Sequence, residues 1–194
     1  GNPALLSDLN LTGNDDAYDY SDAYAAESLV YLSHRRSTFI EHPEQPEPVP
    51  DEQEPKEIWP RGYWLTTYNL EVVDFSDPEN PTRQTDPKEP IALPGRLIGL
   101  SRGGAILYTT GPQYDENGRT DWKEFLHVCA YDVDRAPLIT SMALPESWPR
   151  TLLVTKGDVL IASGNEKAQP SGKIETYRLA DDGKLTRVGG IELK

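Results

Sequence analysis

The run Leu70-Glu71-Val72-Val73-Asp74-Phe75-Ser76-Asp77-Pro78-Glu79-Asn80-Pro81 drives an extended apolar stretch straight into a polar turn. It cannot continue as a helix, because proline removes an N–H donor and fixes φ. Its Asp and Asn side chains are suited to capping local backbone N–H groups. Weaker copies of the pattern end in Asp134-Arg135-Ala136-Pro137 and in Ala180-Asp181-Asp182-Gly183. Seventeen Pro and fifteen Gly extend the same punctuation along 194 residues. Short strands joined by turns are therefore expected, not long helices.

The hairpins repeat as well. Gly104-Ala105-Ile106-Leu107-Tyr108-Thr109-Thr110-Gly111 lies over Gly157-Asp158-Val159-Leu160-Ile161-Ala162-Ser163-Gly164 without a gap. The strands that follow align at Phe75, Val133 and Leu179. Unequal spacing between copies is what a unit of roughly 40–50 residues with variable connections produces. Four short strands per unit predict an all-β fold of β-propeller blades. A β-sandwich is the alternative, although it would not repeat the order of long and short connections.

The expected layout is an acidic N-terminal arm or loop over 1–26, followed by blades over 27–194. The first, over 27–93, is read as incomplete, with a Pro/Glu loop over 37–60 and an outer strand frayed by Pro87 and Pro90. The second spans 97–144 and the third 150–194. With the strands of a blade lettered A to D, the Pro/Glu tract, Pro112–Lys123 and Asn165–Gly172 are all B–C loops. They emerge at one end of the blades, and irregular loops on a rigid scaffold are where binding usually lives. The candidate binding residues are Tyr114, Asp115, Asn117, Arg119 and Trp122 in one such loop, with Trp64 beside another. Aromatic, acidic and amide side chains together suit sugar or peptide recognition; an ordinary hydrogen-bonded loop has the same composition.

Residues 70–81 resemble the LVIVD-type repeat of bacterial and archaeal surface propellers, in which an aliphatic strand runs into Asp, an aliphatic residue, Ser-Asp-Pro and Asn-Pro. The match weakens at Ala130–Pro137 and is nearly lost at Thr176–Gly183. The resemblance implies a secreted, periplasmic or cell-surface propeller, and it carries no catalytic residue over. About three blades are present where a closed propeller has about four to eight. Partner blades are thus expected from a longer chain or from a second chain. The opening Gly1-Asn2-Pro3 lacks an initiator Met, which suggests a processed or truncated start.

Charge narrows the partners. A net charge of −13 repels nucleic acid and anionic membranes, and no apolar run reaches the roughly 20 residues of a membrane-spanning helix. Calcium or a basic partner fits the charge; the carboxylates at 15, 16, 19 and 22 lack the EF-hand register, and no cofactor is expected, with calcium left open. His34 and His42 near Glu41 and Glu44 lack a third ligand at metal-site spacing. His127 and Cys129 occupy alternate positions of one strand, more in keeping with packing than with a nucleophile pair. The single cysteine forms no internal disulfide. The functional expectation is a non-enzymatic module that binds a protein or glycan through its B–C loops. The alternatives are a fragment of a propeller hydrolase or lyase, and an assembly module that pairs its open edges with a partner.

Overall fold

A computed structural model describes residues 19–41, 62–86, 90–114, 120–144, 152–165 and 172–192. Three antiparallel sheets account for nearly all of them. Sheet 1 holds β1 (Asp19–Ala26), β2 (Leu29–Glu41), β3 (Gly62–Asp74), β4 (Thr82–Arg83) and β5 (Ile91–Leu93), the last two both pairing with β3. Sheet 2 runs β6 (Arg96–Ser101), β7 (Ile106–Tyr114), β8 (Thr120–Ala130) and β9 (Leu138–Ala143). Sheet 3 runs β10 (Leu152–Lys156), β11 (Val159–Asn165), β12 (Gly172–Leu179) and β13 (Leu185–Glu192). Each sheet meanders in chain order, and none closes on itself. Residues 97–111 and 152–164 lie in separate sheets, so a two-sheet sandwich does not describe the fold.

Sheet 2 lies between the other two. Leu97, Leu107 and Cys129 pack with Tyr31, Leu70, Val72, Ile91 and Leu93 of sheet 1. Ile106, Tyr108, Leu126 and Val128, one residue out of phase, pack with Leu160, Tyr177 and Leu179 of sheet 3. Successive side chains of a strand point to opposite faces. Covering both faces therefore buries every residue from Ile106 to Thr109 and from Leu126 to Cys129. Each fully buried Leu or Val contributes about 1.5–3 kcal/mol.

Polar contacts fix how the sheets meet. Arg96 of β6 donates from Nε and Nη2 to the Asp22 carboxylate of β1, at 2.6 and 2.8 Å. Between sheets 2 and 3, the Ser101 hydroxyl donates to Asp158 at 2.9 Å, and Arg102 Nε reaches both Asp158 oxygens at 3.2 Å. Arg102 Nη2 also donates to Asp181, at 3.2 Å. These pairs are partly exposed and worth little individually. Their effect is to set orientation.

Several expectations need correction. The acidic arm does not extend to residue 26: β1 starts at Asp19 and pairs with β2 through Ala23↔Leu32 and Tyr24↔Tyr31. Tyr24 and Ala26 face the core while Ala23 and Ala25 stay exposed, and Asp22 is taken by Arg96. Sheet 1 is therefore not an incomplete unit. The strand expected at Leu29–Leu32 continues through His34-Arg35-Arg36 to Glu41 because β3 pairs with it along its full length. The outer strand over 82–93 is two short ones, β4 and β5. The Pro112–Lys123 loop shrinks, since β7 runs to Tyr114 and β8 starts at Thr120.

The turn between β6 and β7 shows how closely the sheets approach. Arg102, Gly103 and Gly104 all have positive φ, 93° at Gly104. A Cβ at Gly104 would lie inside van der Waals contact of the Tyr31 hydroxyl and ring. Gly104→Ala should therefore lower unfolding free energy by about 2 kcal/mol or more, from strain and overpacking together. Urea denaturation checks this: the midpoint should fall with an unchanged slope.

Candidate functional site

β2 and β3 form a ribbon of 13 residues a side, in register from Leu29↔Asp74 to Glu41↔Gly62. Alternation puts Trp64, Thr66, Tyr68, Leu70 and Val72 on one face of β3, with Phe39, Ser37, Arg35, Ser33 and Tyr31 opposite them on β2. The lower part of this face is core. The upper part outgrows sheet 2 and emerges into solvent, leaving Trp64 66% and Phe39 40% exposed. Their ring centroids are 5.3 Å apart at a tilt of 60°. Gly62 makes room for this pair, because a Cβ there would collide with the Phe39 ring and the Ile40 carbonyl. One step nearer the core, the Ser37 and Thr66 hydroxyls share a hydrogen bond of 3.1 Å.

Beside this ledge lies a cleft of about 360 Å³ between sheets 1 and 2. Leu65, Thr66 and Tyr68 of β3 form one wall, with Leu93, Pro94 and Pro112 around it. No charged side chain lines it among the described residues. The cleft has a local cause. β5 follows the edge of β3 only as far as Tyr68↔Leu93. Pro94-Gly95 then carries the chain into sheet 2, where Gly95 packs directly on the Thr110 backbone. Above Tyr68, β3 is left without that neighbour.

Of the expected binding residues, Trp64 is placed on the ledge. Asp115, Asn117 and Arg119 lie outside the described residues, as do the side chains of Tyr114 and Trp122, whose backbones belong to β7 and β8. Phe39, Tyr68, Pro94 and Pro112 were not anticipated. The alternation Trp64-Thr66-Tyr68-Leu70 was the available signal, since it runs an exposed aromatic and a cleft residue in phase with the core.

His127 and Cys129 do not form a nucleophilic pair. Burial pushes the Cys129 thiol up to about 12, so the reactive thiolate is absent at neutral pH. His127 Nδ1 lies 2.8 Å from the Ser141 hydroxyl, and its ring stacks on Phe125 at 6.0 Å. Among the described residues, no carboxylate is hydrogen-bonded to the ring to orient it as a base. Nor do any three described His, Cys, Asp or Glu residues gather as metal ligands. Asp74, Asp77 and Asp182 are turn-makers. Hydrogen bonds from the Ser76 backbone, the Asn80 side chain and the Lys184 backbone, respectively, hold their carboxyls below 3.8.

No family model and no curated protein matches this chain. Among solved structures, the acylaminoacyl peptidase of Pyrococcus horikoshii (orthorhombic crystal form) is similar at 11% identity and a TM-score of 0.39. The similarity covers 94% of this chain but 34% of that one, so the chain spans about a third of the peptidase's length. Nothing identifies the LVIVD-type repeat beyond the residues that suggested it.

The buried histidines generate a pH dependence. Burial lowers the pKa of His127 from 6.5, partly offset by the Gly111 backbone; burial and then Arg83 lower that of His34. As pH falls through 6.5 the unfolded chain takes up protons that the folded chain refuses until its own lower values are reached. Stability is full above that range and is lost as pH falls through it. The urea midpoint should be lower at about pH 5.5 than at about pH 7.5, and the drop smaller in His127→Gln. A flat profile across this window would contradict burial of both rings.

Proposed function

We propose that this chain is a binding module of propeller-type blades that takes a protein or glycan at the end where the β2–β3 and β7–β8 connections emerge. The observation that carries this reading is the exposed Trp64–Phe39 pair beside a cleft with no charged side chain among its described lining residues. Large aromatic side chains are usually turned inward, and those left out on a rigid strand pair serve as anchors at low entropic cost. A secreted or surface setting remains part of the proposal, resting on the resemblance of residues 70–81.

The test is to screen the folded chain on a neutral oligosaccharide array and against a phage-displayed peptide library. Trp64→Ala should weaken the selected ligands about tenfold or more, as loss of an aromatic anchor does. Its melting temperature should stay close to the parent's, since the ring is exposed. Ligands held equally well by Trp64→Ala, or none from either source, would move recognition elsewhere.

A second reading, as an assembly module, has its own support. Tyr31 of β2 packs on Gly104 in the next sheet's first turn. Tyr108 of β7 shares a hydrogen bond of 3.1 Å with Ser101, which in turn bonds Asp158 in the first turn of sheet 3. Ile161 occupies the corresponding place in β11 and is 36% exposed, with Val188 and Ile191 also exposed on sheet 3. In this reading another sheet stacks there. Gel filtration should then give a mass above 21.7 kDa, falling to the monomer value in Ile161→Lys. A monomer at all accessible concentrations would refute self-assembly.

A further inference from the structure

We infer that the cleft binds an extended peptide by strand addition, its backbone pairing with the open edge of β3 at Trp64 and Thr66 and an apolar side chain entering the cleft. This deepens the binding reading above and depends on it. The argument begins with the direction of backbone polar groups. Val72 N–H donates to Thr85 Oγ1 at 3.4 Å, and the Val72 carbonyl accepts from Gln84 N–H at 2.8 Å. The polar groups of Val72 therefore point away from β2. In an antiparallel ladder the N–H and C=O of one residue point to the same side and alternate along the strand. The β2–β3 ladder has no bulge, so the phase carries through Leu70, Tyr68, Thr66 and Trp64. Leu70 and Tyr68 meet β5 as partners of Ile91 and Leu93. Thr66 and Trp64 direct theirs past the end of β5, toward the cleft. Among the described residues, no strand pairs with β3 on that side above Tyr68.

An unpaired strand edge is a template for another extended chain. β5 shows what this edge accepts: a short antiparallel segment whose alternate residues, Ile91 and Leu93, are buried. A peptide continuing the same lane would reach the cleft walls of Leu65, Leu93, Pro94 and Pro112. Those walls carry no charge, and the prolines offer no N–H, so an apolar side chain is accommodated without leaving a buried polar group unpaired. A sugar ring in the same place would lose water from its hydroxyls against a mostly apolar lining, where Thr66, Thr67, Tyr68 and Asn69 are the polar side chains among the described residues. Trp64 and Phe39 then lie over the ligand's outer end.

Peptides selected from the phage library above are synthesised and titrated by calorimetry against the parent chain and Thr66→Pro. The Thr66 N–H points away from β2, so proline there removes a donor facing the cleft and leaves the β2–β3 ladder intact. Affinity should fall about tenfold or more, the cost of one or two backbone hydrogen bonds plus a disturbed edge. Should Thr66→Pro fail to fold, two peptide series replace it, N-methylated at odd or at even positions. Strand addition requires one series to lose binding and the other to retain it. Peptides that bind with equal loss in both series, or with none in either and none in Thr66→Pro, overturn strand addition while the binding module stands. Binding confined to the oligosaccharide array does the same. No binding to either source overturns both.

Discussion

Leu107 and Tyr108 are consecutive residues, both fully buried, on opposite faces of one strand. That is tolerable only if sheet 2 is covered on each side, because leaving either face in water would expose a continuous apolar surface. Sheets 1 and 3 supply the covers, each with one committed face. The three sheets therefore stand or fall together. Gly104 under Tyr31, and Arg102 between Asp158 and Asp181, mark how little slack the stacking leaves. The fold is less a set of hairpins than two interfaces that share a middle layer.

The site follows from a mismatch within that arrangement. The β2–β3 ribbon is 13 residues long, whereas β5 contributes three to the same sheet. What sheet 2 covers becomes core at Tyr31, Leu70 and Val72; what it does not reach becomes the ledge at Phe39 and Trp64. One alternation thus encodes both roles, and burial alone divides them. The same logic keeps His127 and Cys129 out of chemistry. They lie on the face of sheet 2 turned toward sheet 1, where desolvation keeps the thiol protonated and the imidazole neutral.

Strands flanked by strong turns were legible in the sequence, because Gly103-Gly104, Gly157-Asp158 and Asp182-Gly183 announce their reversals chemically. β1 was hidden, because Asp22 reads as solvated charge until Arg96 is brought across from another sheet. The far half of β2 was hidden for a related reason. Ser33 to Thr38 is polar, and its strand conformation comes from pairing with β3, not from its own propensity. Trp64 could be singled out as an isolated aromatic. Phe39 could not be joined to it, since their pairing depends on a register that carries across the connection between β2 and β3. That no described strand pairs with β3 on that side above Tyr68 was not foreseeable from composition. β5 stops pairing there because Pro94 follows Leu93 and turns the chain away.

That early exit has a further meaning. An isolated strand edge lets an added chain slide by two residues at little cost, since each step restores the same pattern of hydrogen bonds. Here β5 already fills the lower part of the lane, and Pro94 turns off at its end. An incoming chain can advance only until it meets that turn. Under strand addition, its register would be fixed by a mechanical stop rather than by matching side chains, and the cleft would measure position before reading sequence.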